Sequence, residues 1–248
     1  MKSPALPSVE NIVKGMHRDI GRALTLIEQG DPRAGKLLLS IEKRARHPAV
    51  RIGITGPMGC GKSTLISAMT SHFRESGLKA AILAVDPTSP ITGGAFLGDR
   101  VRMRDFCNDR GVFIRSLASR GQGGGTAPRL DGMVRLLESA GFDLILIETV
   151  GTGQAEVAIR KLTDIVVVVS MPGLGDGIQA MKGGLFEIAD ILLVNKSDLP
   201  GATRQMAIFK EAFQTSGRKQ KPFLMKTNSL HGDGIPALCK EIMGRAEK

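Results

Sequence analysis

Gly56-Pro57-Met58-Gly59-Cys60-Gly61-Lys62-Ser63 fits G-x-x-x-x-G-K-[ST] at every fixed position. The apolar run Val50 to Thr55 before it predicts a buried strand, and Leu65, Ile66 and Met69 behind it recur at helical spacing. The stretch therefore lies between a strand and a helix, the setting in which it works as a phosphate-binding loop. Gly56 and Gly61 permit backbone conformations and close approaches that a side chain would block. The loop's N–H groups, together with the helix N-terminus, can converge on phosphate oxygens. Lys62 is placed to reach the β- and γ-phosphates, and the Ser63 hydroxyl to ligate Mg²⁺. A plain glycine-rich turn would join strand to helix equally well, but it has no use for Lys-Ser in the first helical turn.

Downstream, buried strands end repeatedly in polar residues. Ala80 to Val85 runs into Asp86-Pro87-Thr88-Ser89-Pro90, where Asp86 either holds Mg²⁺ and its waters or caps a turn. The segment from Thr92-Gly93-Gly94 to Gly98-Asp99 reads as a switch; its Asp99 is either a second metal-site carboxylate or the N-cap of a helix through Asn108. Val112 to Leu117 leads into the glycine-rich stretch Ser119 to Gly125, which suits backbone approach to a ligand or a linker. Phe142 to Glu148 is a fourth strand, and Glu148-Thr149-Val150-Gly151 resembles the γ-phosphate-sensing element of P-loop enzymes. A helix is expected over Gln154 to Leu162, and Asp164 to Ser170 then reads as a strand buried on both faces.

Ile191 to Val194 ends in Asn195-Lys196-Ser197-Asp198, which fits N-K-x-D. Its aspartate can accept from guanine N1–H and from the exocyclic amine, and adenine offers no matching donors. That argues for GTP over ATP. Pro222 to Lys226 delivers Thr227-Asn228-Ser229, a weaker third base element in which the Ser229 N–H is expected to face guanine O6. A last helix spans Ile235 to about Arg245.

The 248 residues, 42% hydrophobic, suffice for one substantial core with a small appendage. We expect residues 1–47 to form a helical extension, its second helix opening at Gly21-Arg22-Ala23-Leu24, and residues 48–248 a P-loop G domain. No apolar run reaches about 18 residues and the N-terminus lacks a secretory core, so a soluble cytoplasmic protein without membrane contact is expected. Cys60, Cys107 and Cys239 are odd in number and widely spaced, which favours reduced thiols; Cys60 is either oxidation-sensitive or a small residue at a variable position. The formal charge of +10 is scattered and lacks interleaved aromatics, so nucleic acid is not the expected partner.

Taken in order, these motifs resemble those of the MeaB/MMAA (ArgK) family of G proteins, over roughly residues 8–248. The most specific parts are Asp86-Pro87-Thr88-Ser89-Pro90 with the glycines that follow, and Glu-Thr-Val-Gly-x-Gly-Gln from Glu148 to Gln154. The resemblance implies a SIMIBI-type, doubly wound, mainly parallel α/β fold. It also implies a slow GTPase chaperone that loads, protects and reactivates an adenosylcobalamin-dependent acyl-CoA mutase such as methylmalonyl-CoA mutase, the cobalamin belonging to the partner. By the same resemblance the phosphates would be held by Gly56, Met58, Gly59, Cys60, Gly61, Lys62, Ser63, Thr64 and Gly151. Asn195, Lys196, Asp198, Asn228, Ser229 and Leu230 would hold the base. Ser63, Asp86, Asp99 and Glu148 would surround the metal, and Lys62 with the three carboxylates would carry catalysis.

The loop Pro172 to Lys182 matches the family's third switch, which couples nucleotide state to the mutase, but Gly175-Asp176-Gly177-Ile178-Gln179 has glycine where the family usually has glutamate, and Gly183 stands where a second lysine is common. Family members continue past this end into a helical arm that makes a dimer; without that arm a homodimer stays in question. Two alternatives from other classes remain: an ATP-using kinase of the ArgK type, for which N-K-x-D would be idle, and a nickel-inserting GTPase. The latter wants clustered His or Cys ligands, whereas His17, His47, His72 and His231 are far apart in sequence.

Overall fold

The computed structural model describes residues 6–44, 48–86, 106, 108–118, 129–149, 155–173, 185–215 and 221–247, with the backbone alone described at 86, 155–157, 186 and 215. Three helices lead: α1 (Val9–Val13), α2 (His17–Gln29) and α3 (Arg33–Glu42). Then follow β1 (Val50–Thr55), α4 (Lys62–Glu75), β2 (Ala80–Asp86), β3 (Val112–Ala118), α5 (Leu130–Ser139) and β4 (Leu144–Thr149). The remainder is α6 (Ala155–Leu162), β5 (Ile165–Ser170), α7 (Leu185–Ile188), β6 (Ile191–Val194), α8 (Ala202–Thr215), β7 (Phe223–Lys226) and α9 (Ile235–Ala246). Among these residues no helix is long and apolar enough to cross a membrane.

The strands form one seven-stranded sheet in the order β3-β2-β4-β1-β5-β6-β7, with every pair parallel. Parallel strands with helical crossovers are covered on both faces, and their residues are accordingly apolar on both: all six residues of β4 and of β5 are buried. Alternation sorts them. Ile52, Ile54, Leu144, Leu146, Val167 and Val169 face α4 and α9. On the other face, Ile145 and Ile147 meet the leading helices and α5, while Val166 and Val168 meet α7 and α8. The result is the doubly wound architecture that the strand-helix alternation predicts. Because β1 sits near the middle, between β4 and β5, the loop that follows it emerges at the centre of the sheet's C-terminal edge, where such folds place their ligands.

The leading helices share their core with the sheet. Ile20, Leu24, Ile27, Leu37, Leu38 and Ile41 recur at helical spacing and pack with Met133 and Leu137 of α5. Gly132 of α5 lies so near that an added Cβ would meet Ile27 and Leu38 at 3.4 Å. The Asp19 carboxylate accepts from Ser8 N and Asn11 Nδ2, each at 3.0 Å, fastening α1 to α2. Arg115 of β3 donates to Glu28 at 2.8 Å and Thr25 at 3.1 Å, tying the sheet's edge strand to α2. One boundary expectation is corrected. The second helix opens at His17, after Gly15 ends α1 with a φ of 76°, so Gly21 to Leu24 are interior. Gly30, at a φ of 70°, caps the end of α2, and the Arg33 guanidinium beside Asp31 holds that carboxyl down at about 2.

His17 is packed edge-on to Phe113 at 5.4 Å and tilted against Phe142 at 6.5 Å. Burial lowers its pKa from the usual 6.5, against the opposing influence of the Arg110 backbone and the Asp109 charge. Protonation is therefore easier in the unfolded chain. The stability carried by the neutral ring is present above pH 6.5 and lost as pH falls below it. Thermal melts at pH 7.5 and 5.5 should show a drop for the wild type that is smaller in His17→Phe; equal drops would remove His17 from the account.

Candidate nucleotide site

The loop after β1 folds as a glycine cradle. Gly56 has a φ of 145° and lies against β5, where an added Cβ would meet the Val169 carbonyl oxygen at 2.1 Å. Lys62 opens α4 and is buried; its Nζ donates to the carbonyls of Gly56 at 3.0 Å and Pro57 at 3.1 Å. The ammonium is thus held against the loop it belongs to. Ser63 Oγ donates to Glu148 Oε1 at 3.1 Å, bringing together residues from α4 and the end of β4. Glu148 is only 6% exposed. A hydroxyl and a carboxylate oxygen side by side are the hard donors that a Mg²⁺ ion accepts, so these two residues fit the expected metal. The backbone of Asp86 closes β2 rather than following it; its side chain, Asp99, Gly151 and most of the third-switch loop lie outside the described residues.

Cys60 is fully buried, and burial raises its thiol pKa above the usual value. Burial and a raised pKa both keep the Cys60 thiol protonated at neutral pH, which supports the reading of a small residue over an oxidation-sensitive one. Met58 at the tip of the loop is exposed.

The base side is built around Asn195. Its amide Nδ2 donates to the Cys60 carbonyl at 2.9 Å. Its Oδ1 accepts from Thr227 Oγ1 at 3.2 Å, Ser229 N at 3.1 Å and Ser229 Oγ at 2.8 Å. One side chain thereby joins the phosphate loop to the loops after β6 and β7. The Ser229 N–H, expected to face guanine O6, is directed at Asn195 in this structure. Lys196 takes a left-handed φ of 55°, turning the chain sharply so that Asn195 points in while Asp198 is exposed. Asp198 Oδ1 accepts from Asn228 Nδ2 at 2.8 Å.

These groups line a cleft of about 320 Å³ whose walls include Gly61, Thr64, Asn195, Lys196, Asp198 and Leu230. A second hollow, about 590 Å³, adjoins it across Thr64, Ser229 and the 79% exposed Leu230. The Asn228 bond to Asp198, the Thr227 hydroxyl and this second hollow were not read from sequence. His72 and His231, distant in sequence, both line the second hollow, yet among the described residues no three His, Cys, Asp or Glu side chains converge as a metal site.

Gly61, with a φ of 92°, leaves room for Asn195: an added Cβ would stand 2.5 Å from Asn195 Nδ2. Gly61→Ala should weaken GDP binding by at least about tenfold, through lost loop contacts. Gly59→Ala, also at positive φ but with nothing within 4 Å, should cost only about 1–2 kcal/mol of backbone strain. Titration calorimetry and melting of the two variants check the difference.

The sequence model of the methylmalonyl Co-A mutase-associated GTPase MeaB family matches residues 20–248. A relative from Pyrococcus horikoshii is 42% identical over 241 residues, covering 94% of this chain and 75% of the relative. The GTPase ArgK of Escherichia coli is 36% identical over 212 residues, covering 84% of this chain and 64% of ArgK. The solved structure of a LAO/AO transport system kinase superposes with a TM-score of 0.76 at 26% identity, over 96% of this chain and 74% of that one. With a family match that takes in the phosphate loop, Glu148 and Asn195-Lys196-Ser197-Asp198, the chain belongs to the MeaB family of P-loop GTPases.

Proposed function

We propose that this GTPase binds GTP and GDP with Mg²⁺ and uses hydrolysis to gate the loading, protection or reactivation of an adenosylcobalamin-dependent acyl-CoA mutase, with the cobalamin bound by that partner. The observation that carries the nucleotide part is the base cleft: Asp198 stands at its wall, and Asn195 fastens that wall to the phosphate loop. A carboxylate there rewards guanine's paired donors and leaves adenine without a match. The mutase part is supported by the family description, which names a methylmalonyl-CoA mutase association.

In this reading Lys62 exchanges the Gly56 and Pro57 carbonyls for β- and γ-phosphate oxygens and stabilises charge on the transferring group. Ser63 and Glu148 would hold the metal, with Asp86 and Asp99; Gly151 would sense the γ-phosphate. When bound, Mg²⁺ supplies charge neutralisation between the phosphates. Glu148, whose Oε1 accepts from Ser63 Oγ at 3.1 Å, would also be the candidate to order the attacking water. The partner would complete the site, and the loop Pro172 to Lys182 would carry the signal.

Hydrolysis of GTP and ATP should be measured with and without a B12-dependent mutase. Use of GTP alone, faster with the mutase, is the expected result. Equal use of ATP with no response to a mutase would overturn the reading and favour the kinase alternative. Lys62→Ala should lower GTP turnover by at least about a hundredfold while circular dichroism shows an intact fold.

A further inference from the structure

Asp198 is an exposed carboxylate, yet one of its oxygens is already held from behind. Asn228 is 4% exposed, and its Nδ2 donates to Asp198 Oδ1 at 2.8 Å. Asn228 is itself fixed on three sides. Its N–H donates to the Asp233 carbonyl at 3.0 Å and its own carbonyl accepts from Asp233 N at 3.1 Å. Its side-chain Oδ1 accepts from Leu230 N at 3.2 Å and His231 N at 3.4 Å. A rigid buried donor thus meets a side chain that would otherwise sample several rotamers in water.

Selectivity makes this matter. Guanine presents two donors to Asp198, the N1–H and the exocyclic amine, and both carboxylate oxygens must lie in the plane of the base to accept them. A carboxylate oxygen has room for a second donor, so the Asn228 bond and the guanine bonds are compatible. We propose that Asn228 is the positioning residue that sets the Asp198 carboxylate, and through it the preference for guanine over bases with fewer donors on that edge. This deepens the guanine-nucleotide reading and rests on it.

Two substitutions separate this from a purely architectural role. Asn228→Asp keeps the acceptor that the Leu230 and His231 N–H groups use, but replaces the amide donor with a carboxylate oxygen opposite Asp198. Asn228→Ala removes both. Binding of GDP, IDP, which lacks the exocyclic amine, and ADP would be measured by calorimetry.

Loss of a hydrogen bond to a charged acceptor corresponds to about ten- to hundredfold in affinity. We expect a GDP loss of that size in N228D and a GDP-to-IDP ratio that falls towards one. If N228D matches wild type in affinity and ratio while only N228A is impaired, the turn is what matters and the inference is overturned. Should N228D fail to fold, Asn228→Ser, which retains a shorter donor, must fall between wild type and N228A in the GDP-to-IDP ratio; a ratio equal to wild type overturns the inference. A wild-type protein that binds ADP as tightly as GDP would instead remove the guanine-nucleotide reading itself, whatever the variants do.

Discussion

The buried amide of Asn195 is the interaction on which the rest of the site depends. It is 2% exposed, and its two ends are committed to different loops: the donor to the Cys60 carbonyl, the acceptor to Thr227 and Ser229. Leaving such groups unmet in the interior costs about 1–3 kcal/mol each, so the three loops cannot drift apart independently. The absence of a side chain at Gly61 is the other half of the same arrangement, since the amide occupies the space a Cβ would need.

The sheet places these loops for that amide to join. β1, β5 and β6 are consecutive neighbours, so the loops leaving their C-terminal ends crowd together, and β7 beside β6 brings in Thr227 to Ser229. Asn195 N also donates to the Ser170 carbonyl at 2.8 Å, continuing the β5–β6 ladder one step past the last paired strand residue. On the other flank, β4 lies against β1 and delivers Glu148 to Ser63. The phosphate loop, the Ser63–Glu148 pair and the loops around Asn195 therefore fall on adjacent strand ends.

Much of this was legible in the sequence, for physical reasons. β1 and β6 have the bounds expected of them because short, mostly apolar runs that end in turn residues fit strands buried in a parallel sheet. Lys62, Ser63, Glu148 and Asn195 stand at the C-terminal edge because spacing after a strand determines where a residue emerges. What could not be read is who stands opposite whom. The pairing of Asn228 with Asp198, or of Asn195 with a loop far upstream, depends on sheet order, which no local pattern carries. The start of α2 was misplaced for a different reason: apolar periodicity continues from Val9 through Ile20, and Gly15 breaks the backbone without breaking the pattern.

The position of β1 has a consequence for how the chain acquires its shape. As synthesis proceeds, β1 is made before either of its neighbours. Val50 pairs with Leu144, Ile52 with Ile165, and Gly56 rests on Val169. The phosphate loop therefore leaves the ribosome long before the strands that shelter it. Contacts of such sequence separation require large loops to close before they contribute, which makes folding slow and leaves apolar strands uncovered meanwhile. β2 and β3, which pair with one another, are both made in that interval, as is α4, which packs on β2. The central strand is thus among the last to be enclosed, and a nascent chain arrested before β5 would carry the whole phosphate-binding motif without the wall that holds it open.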